Sequence, residues 1–112
     1  MYISDHGESF WDDERKLSLH GSYELCEAEY HVPCIIWYSN EYKETFPNKV
    51  EKLSDNKRVA ANSSVTFSTL LDLANLSEVV DPTKSLCSPH IQQVDSFAVL
   101  NGAGEIKTYV IQ

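Results

Sequence analysis

Apolar residues along this chain fall into short blocks, and the spacing inside each block decides which element it predicts. Met1-Tyr2-Ile3 is a brief apolar run that stops at Ser4-Asp5-His6-Gly7, the pattern of a strand opening into a loop. The polar stretch that follows has no clear period and reads as loop. From Ser22 to Tyr30 a short helix is expected, with Ser22 as its N-cap and acids in its first turns. Val32 to Tyr38 is the longest apolar run and reads as a strand buried on both faces, Pro33 being tolerable near its start. Glu41 to Leu53 scatters apolar positions among charges and predicts a surface helix interrupted at Pro47. Asn62-Ser63-Ser64 then offers cap chemistry to a better-patterned helix. There Phe67, Leu70, Leu71 and Ala74 stand at i, i+3, i+4 and i+7, a stripe expected to be buried. After a loop from Asp81-Pro82 to Ser88-Pro89, Phe97-Ala98-Val99-Leu100 and Ile106-Lys107-Thr108-Tyr109-Val110 flank Asn101-Gly102-Ala103-Gly104. That arrangement predicts a hairpin with a glycine-containing turn.

Composition narrows the class. With 112 residues, 42% of them apolar, the chain can bury a modest core and is neither a disordered tail nor a collagen-like repeat. A net charge of −8 argues against a nucleic-acid partner, whose phosphates need a basic face. The longest apolar run falls far short of the roughly 20 residues that span a bilayer. No basic segment followed by an apolar one reads as a signal peptide. Cys26, Cys34 and Cys87 are odd in number and form no CxxC pair, which excludes a zinc ribbon. Cys34, inside the apolar run, is expected to be a buried free thiol; a bridge to Cys26 in an oxidising compartment stays open.

The charge is concentrated near the start of the chain. Residues 1–31 hold eight acids against Arg15 and Lys16, together with His6, His20 and His31. Carboxylates mixed with imidazoles suit a divalent cation, which offsets the repulsion among the acids. Asp12-Asp13-Glu14 reads instead as a solvated acidic loop. Asp5 offers a hard anionic oxygen and His6 a nitrogen, a pair suited to zinc or manganese. Neighbours in a regular strand point to opposite faces, so both reach one cation only where the strand breaks, and Gly7 allows that turn. His20-Gly21 follows fourteen residues after His6, a separation that suits a loop folding back over the site. Taken alone, His20 reads as a surface or capping residue until the fold ties it to His6. His31 stands at a strand entrance and reads as structural, and His90 carries no signal. A strand that delivers ligands from its carboxyl end normally lies inside a parallel sheet, yet this one begins at residue 1. The chain therefore reads as the end of a larger α/β domain.

These residues carry a resemblance. Tyr2-Ile3-Ser4-Asp5-His6-Gly7-Glu8-Ser9, then Leu19-His20-Gly21, then His31-Val32-Pro33 leading into Cys34-Ile35-Ile36-Trp37, resemble the phosphoethanolamine transferases of bacterial envelopes. Those enzymes form part of the sulfatase branch of the alkaline-phosphatase superfamily. The likeness covers nearly the whole chain, and the ordered set of three motifs is far more specific than any one of them. It implies the C-terminal portion of an alkaline-phosphatase-like α/β/α sandwich, ending in a β-hairpin. Residues 1–31 would be the metal-site strand and loop, 32–76 a strand with helices, and 95–112 the hairpin.

The resemblance further implies that Asp5 and His6 ligate a catalytic zinc, with manganese as the alternative metal. His20 would face the substrate phosphate or a second metal, while Glu8 and Ser9 would orient the ligands from behind. In the family a threonine takes phosphoethanolamine from phosphatidylethanolamine and passes it to lipid A or core sugars of lipopolysaccharide. The work is done at the periplasmic face of the inner membrane, in contact with the bilayer through upstream helices. That threonine and its acidic companion ligand lie upstream in the family. Thr45, Thr66, Thr69, Thr83 and Thr108 match no nucleophile position, so these residues alone are expected to be soluble and inactive, and to self-associate through exposed strand edges. The segment between Glu8 and His20 departs from the family in being more acidic and poorer in glycine. Two other readings stand beside this one: a sulfatase-type hydrolase or phosphoglycerol transferase of the same superfamily, and a non-catalytic binding module that kept the metal corner.

Overall fold

The structure, a computed structural model, describes residues 1–111; Gln112, the last residue of the expected hairpin segment, lies outside them. In chain order the elements are β1 (Tyr2–Ile3), β2 (Ser9–Phe10), β3 (Ser18–Leu19), α1 (Glu27–Tyr30), β4 (Cys34–Ile35), α2 (Asn40–Thr45), α3 (Pro47–Asp55), α4 (Val65–Leu73), β5 (Ser96–Leu100) and β6 (Ile106–Val110). Two 3-10 turns, Ser77–Val79 and Pro82–Lys84, lie between α4 and β5. This mixture of helices and small sheets has the expected α/β character, and the closing hairpin is where the turn chemistry puts it. Among the described residues no helix is long and apolar enough to cross a membrane. The chain divides into two compact units, Met1–Ile36 with Ser96–Gln112, and Trp37–Asp95.

In the first unit every sheet is two-stranded and antiparallel. β1 pairs with β4 (Tyr2↔Ile35, Ile3↔Cys34), β2 with β3 (Ser9↔Leu19, Phe10↔Ser18), and β5 with β6 from Ser96↔Val110 to Leu100↔Ile106. The acidic stretch read as loop thus contains a short hairpin. A parallel neighbour for β1 is not found among the described residues, because the stretch after it folds through a hairpin and α1 and returns antiparallel. The expected strand from Val32 to Tyr38 shrinks to Cys34–Ile35, and it is not buried on both faces. Ile35 is exposed, Trp37 is 81% exposed, and Cys34 is an exposed free thiol rather than a buried one. Among the described residues β4 pairs with β1 alone, so its ladder runs on one side, and both of its residues are exposed.

α1 is shorter than expected and begins elsewhere. Its N-cap is Cys26, and Ser22 gives both its N–H and its hydroxyl to Glu29 instead of capping. The C-terminal hairpin is set by Asn101, whose buried side chain accepts from the N–H groups of Ala103 and Glu105 and donates to Tyr23 O at 2.8 Å. Phe97 and Tyr109, paired across the strands, both pack on Tyr30 of α1 with ring centroids 4.9 and 4.8 Å away. Gly102 lies so close to Gly21 that a Cβ would stand 1.6 Å from the Gly21 oxygen, and that contact joins the hairpin turn to the loop after His20.

The second unit is built from α2, α3 and α4. Ser39 caps α2 by accepting from Tyr42 N–H, and the expected interruption at Pro47 is the start of α3, where proline occupies the first turn. α4 departs from the pattern. Its buried positions are Val65, Ser68, Thr69 and Asp72, while Phe67 (70% exposed), Leu70 and Ala74 face out and Leu71 is half-buried. The inward stripe has the same helical spacing as the expected one but is mostly polar. Its partners explain the choice. Asp72 accepts from Lys49 Nζ at 2.8 Å, Ser77 Oγ at 2.7 Å and Ser85 Oγ at 2.7 Å, and Thr69 Oγ1 accepts from Leu86 N–H at 3.0 Å. Burial raises the Asp72 carboxyl, but these donors outweigh it and hold the group below its usual range. Burial likewise pushes the neighbouring Cys87 thiol up to about 11.

Asp72→Ala would leave the half-buried Lys49 ammonium without its counter-charge and two hydroxyls without an acceptor. A loss of about 3–5 kcal/mol is expected in urea denaturation. Phe67→Ala, on the outward stripe, should change stability by less than about 0.5 kcal/mol.

Candidate metal centre

The loop after β1 bends at Asp5, and Gly7, between His6 and Glu8, lies against the start of the chain's first helix. Gly7 N–H donates to the Glu29 carbonyl at 2.9 Å, and a Cβ on Gly7 would fall 1.8 Å from the Ala28 oxygen. Only glycine lets the loop lie this close to α1. β3 ends at Leu19, whose φ of 73° is left-handed, and the chain then passes His20 to Gly21 at φ 77°. Left-handed backbone is uncommon for leucine and persists only where the surroundings hold it.

The Ser9↔Leu19 pair sets Glu8 and His20 side by side, and His6, Glu8 and His20 come together with one donor atom from each lying within 4.8 Å of the others. The His6 and His20 rings approach to 3.7 Å between centroids at 31°. His20 Nδ1 lies 3.0 Å from Glu8 Oε1, and His6 Nδ1 donates to the Gly7 carbonyl at 2.9 Å. A carbonyl only accepts, so the His6 proton is on Nδ1 and Nε2 carries the free lone pair. Asp5 stands beside this trio rather than within it. Its side chain is 89% exposed, with Oδ1 accepting from His6 N–H and Oδ2 3.8 Å from His6 Nε2. Two imidazoles with carboxylates at this spacing form the donor set that zinc and manganese take, so the residues fit the metal.

Of the residues singled out from sequence, the structure brings His6, Glu8 and His20 into one cluster and sets Asp5 against His6. Ser9 goes elsewhere: it is fully buried, with Oγ 3.2 Å from Cys26 Sγ and accepting from Arg15 Nη2 at 3.0 Å. His31 pairs with Glu27 at 2.8 Å on the surface of α1, as a structural residue would.

Sequence reasoning did not find the ion-pair network behind the cluster. Arg15 donates through Nε and Nη2 to Asp13 Oδ2 at 2.8 and 2.6 Å, through Nη1 to Glu29 Oε2 at 3.1 Å, and to the Glu24 carbonyl. Asp13 is therefore not a solvated acid; the Arg15 hydrogen bonds draw its carboxyl down and raise the guanidinium in turn. Burial raises Glu29, but hydrogen bonds from Cys26 N–H, the Ser22 hydroxyl, Ser22 N–H and Arg15 prevail and lower it to about 2. Fourteen residues separate Arg15 from Glu29, so no periodicity marks the pair. The one available signal was a lone arginine among many acids.

A family model described as Sulfatase matches residues 1–76. The phosphoethanolamine transferase EptC of Escherichia coli is 30% identical over 95 residues, covering 83% of this chain and 16% of that protein. The phosphoethanolamine transferase EptA of Salmonella typhimurium is 33% identical over 81 residues, 68% of this chain and 14% of that protein. The phosphoethanolamine transferase CptA of the same organism is 30% identical over 95 residues, with 83% and 16% covered. The chain thus spans about one sixth of the length of these relatives. No solved structure matches it.

The lowered Glu29 carboxyl makes stability pH-dependent with a definite sign. Its contribution is fully present above the unfolded value of 4.5 and is lost as pH falls from there towards about 2. The urea midpoint should drop between pH 6 and pH 3, and Glu29→Gln should flatten that dependence. Gly7→Ala should weaken zinc binding by at least about tenfold in a chelator competition, because the Cβ forces the loop carrying His6 and Glu8 off α1.

Proposed function

This chain belongs to the sulfatase family, and on that premise we propose that it supplies the Asp5–His6 corner of the metal centre in a phosphoethanolamine transferase. The observation that carries the reading is the convergence of His6, Glu8 and His20, with Asp5 against His6. A divalent cation, zinc first and manganese second, would there stabilise charge on the oxygens of a transferring phosphoryl group.

The chain's own residues prepare that work. Asp5 and His6 bind, His6 through the Nε2 that its bond to the Gly7 carbonyl leaves free. Glu8 fixes the His20 ring by accepting at Nδ1, so that the other ring nitrogen is turned to the phosphate or to a second metal. Ser9 acts one step further back, through Arg15. The relatives' names supply the transferred group. On this reading the donor is phosphatidylethanolamine and the acceptor is a lipid A or core sugar of lipopolysaccharide, at the periplasmic face of the bacterial inner membrane. The nucleophile is a threonine outside residues 1–112. Thr69, fully buried with its hydroxyl accepting from Leu86 N–H, is a structural residue.

The test uses the complete enzyme with vesicles of headgroup-labelled phosphatidylethanolamine and lipid A as acceptor. Asp5→Ala and His6→Ala should each lower transfer by more than about a hundred-fold while the fold is retained. Wild-type transfer in either variant would overturn the reading. Hydrolysis of a sulfate ester without any transfer would put the chain among the hydrolases of its family.

A further inference from the structure

Two donors of the cluster flank the open end of the β2–β3 hairpin, Glu8 directly before β2 and His20 directly after β3 across from the Ser9↔Leu19 pair, while His6 lies further back on the loop after β1. A metal centre tolerates only a few tenths of an ångström in its ligand positions, and a ladder of two residue pairs leaves the course of the chain on either side of it to be fixed by other contacts. Glu29 touches both. Its backbone carbonyl accepts Gly7 N–H at 2.9 Å, between His6 and Glu8. Its Oε1 accepts the N–H and hydroxyl of Ser22 at 3.2 and 2.8 Å, two residues beyond His20. Its Oε2 accepts from Cys26 N–H at 2.9 Å and from Arg15. Arg15 in turn reaches Ser9 Oγ, next to Glu8, and holds the intervening loop through Asp13.

We propose that Glu29 and Arg15 are positioning residues of the metal centre: together they set the distance of His20 from the His6–Glu8 stretch, and so the affinity for a divalent cation. The inference rests on the metal-centre reading above. Neither side chain touches the donor atoms of the cluster. The pair is also no surface salt bridge, since the side chains are 24% and 1% exposed. One planar guanidinium serves Asp13, Glu29, Ser9 and the Glu24 carbonyl at once, a task that the single ammonium of lysine cannot reproduce.

Zinc alone is the probe, with its affinity for the complete enzyme measured by competition with a chromophoric chelator. Arg15→Lys keeps the charge and loses the fork: its urea midpoint should fall no further than that of Asp72→Asn, while it binds zinc about 10- to 100-fold more weakly. Glu29→Gln should weaken zinc to a similar degree; if it fails to fold, Arg15→Lys decides. Asp72→Asn, in the buried ion pair of the second unit, should lower the urea midpoint and leave zinc affinity within about twofold. Unchanged zinc binding in Arg15→Lys, with binding weakened in His6→Ala, would overturn the positioning role and leave the metal centre standing. Unchanged binding in His6→Ala would remove the centre itself and the positioning role with it. Asp72→Asn weakening zinc as much as Arg15→Lys would reduce the effect to general instability and overturn the proposal.

Discussion

The Glu29 carboxylate is buried, and a charge in that position persists only if its lone pairs are filled. Four hydrogen bonds from Arg15, Ser22 and Cys26 fill them, while the residue's own carbonyl takes Gly7 N–H. The loop after β1, the β2–β3 hairpin and the approach to α1 are thereby held to one point. α1 has four residues, too few to stand alone; the reciprocal bonds between Cys26 and Glu29 at its start give it the support its length does not. The buried side chains among the described residues of this unit are Ser9, Glu29 and Asn101, all polar. Its loops are held by directional bonds, beside a half-buried aromatic cluster of Tyr30, Phe97 and Tyr109.

The second unit follows the same rule around Asp72. Val50, Val65 and Cys87 supply its buried apolar side chains; Ser68 is buried as well, and Thr69, Asp72, Ser85 and Ser88 are buried with hydrogen-bond partners. Every buried side-chain nitrogen and oxygen among the described residues is paired. Networks of this kind specify one arrangement strongly, because each member left unpaired costs its full desolvation. That cost decides the orientation of α4. Turning Phe67 and Leu70 inward would strand the Asp72 carboxylate away from Lys49, Ser77 and Ser85.

Family membership and local geometry meet at one corner of the chain. Of the acids gathered in the first 31 residues, Asp5 lies beside His6 and Glu8 beside His20. Asp13 and Glu29 are neutralised instead by Arg15. The same excess of negative charge is therefore divided between acids set beside imidazoles and acids paired with a guanidinium. That pairing is what lets a stretch poor in glycine carry left-handed residues at Trp11, Lys16 and Leu19.

By itself the sequence determined what depends on neighbours along the chain. The break at Pro47, the Asn101 to Gly104 turn, the strand before Ser4 and the Asp5-His6-Gly7-Glu8 motif with His20 beyond it are all local patterns, and local sterics and hydrogen-bonding capacity settle them. Tertiary structure decided what depends on partners far along the chain. Helical spacing marks two faces of α4 equally well, and only the position of Lys49 and Ser85 says which is inside. The apolar run around Cys34 becomes a buried strand only if other layers cover it, and Cys34 and Ile35 are exposed. Arg15 and Glu29 have no spacing that announces them. Their meeting is a matter of where two loops cross, and a buried charge is stable there because a second charge with a planar fork of donors crosses at the same place.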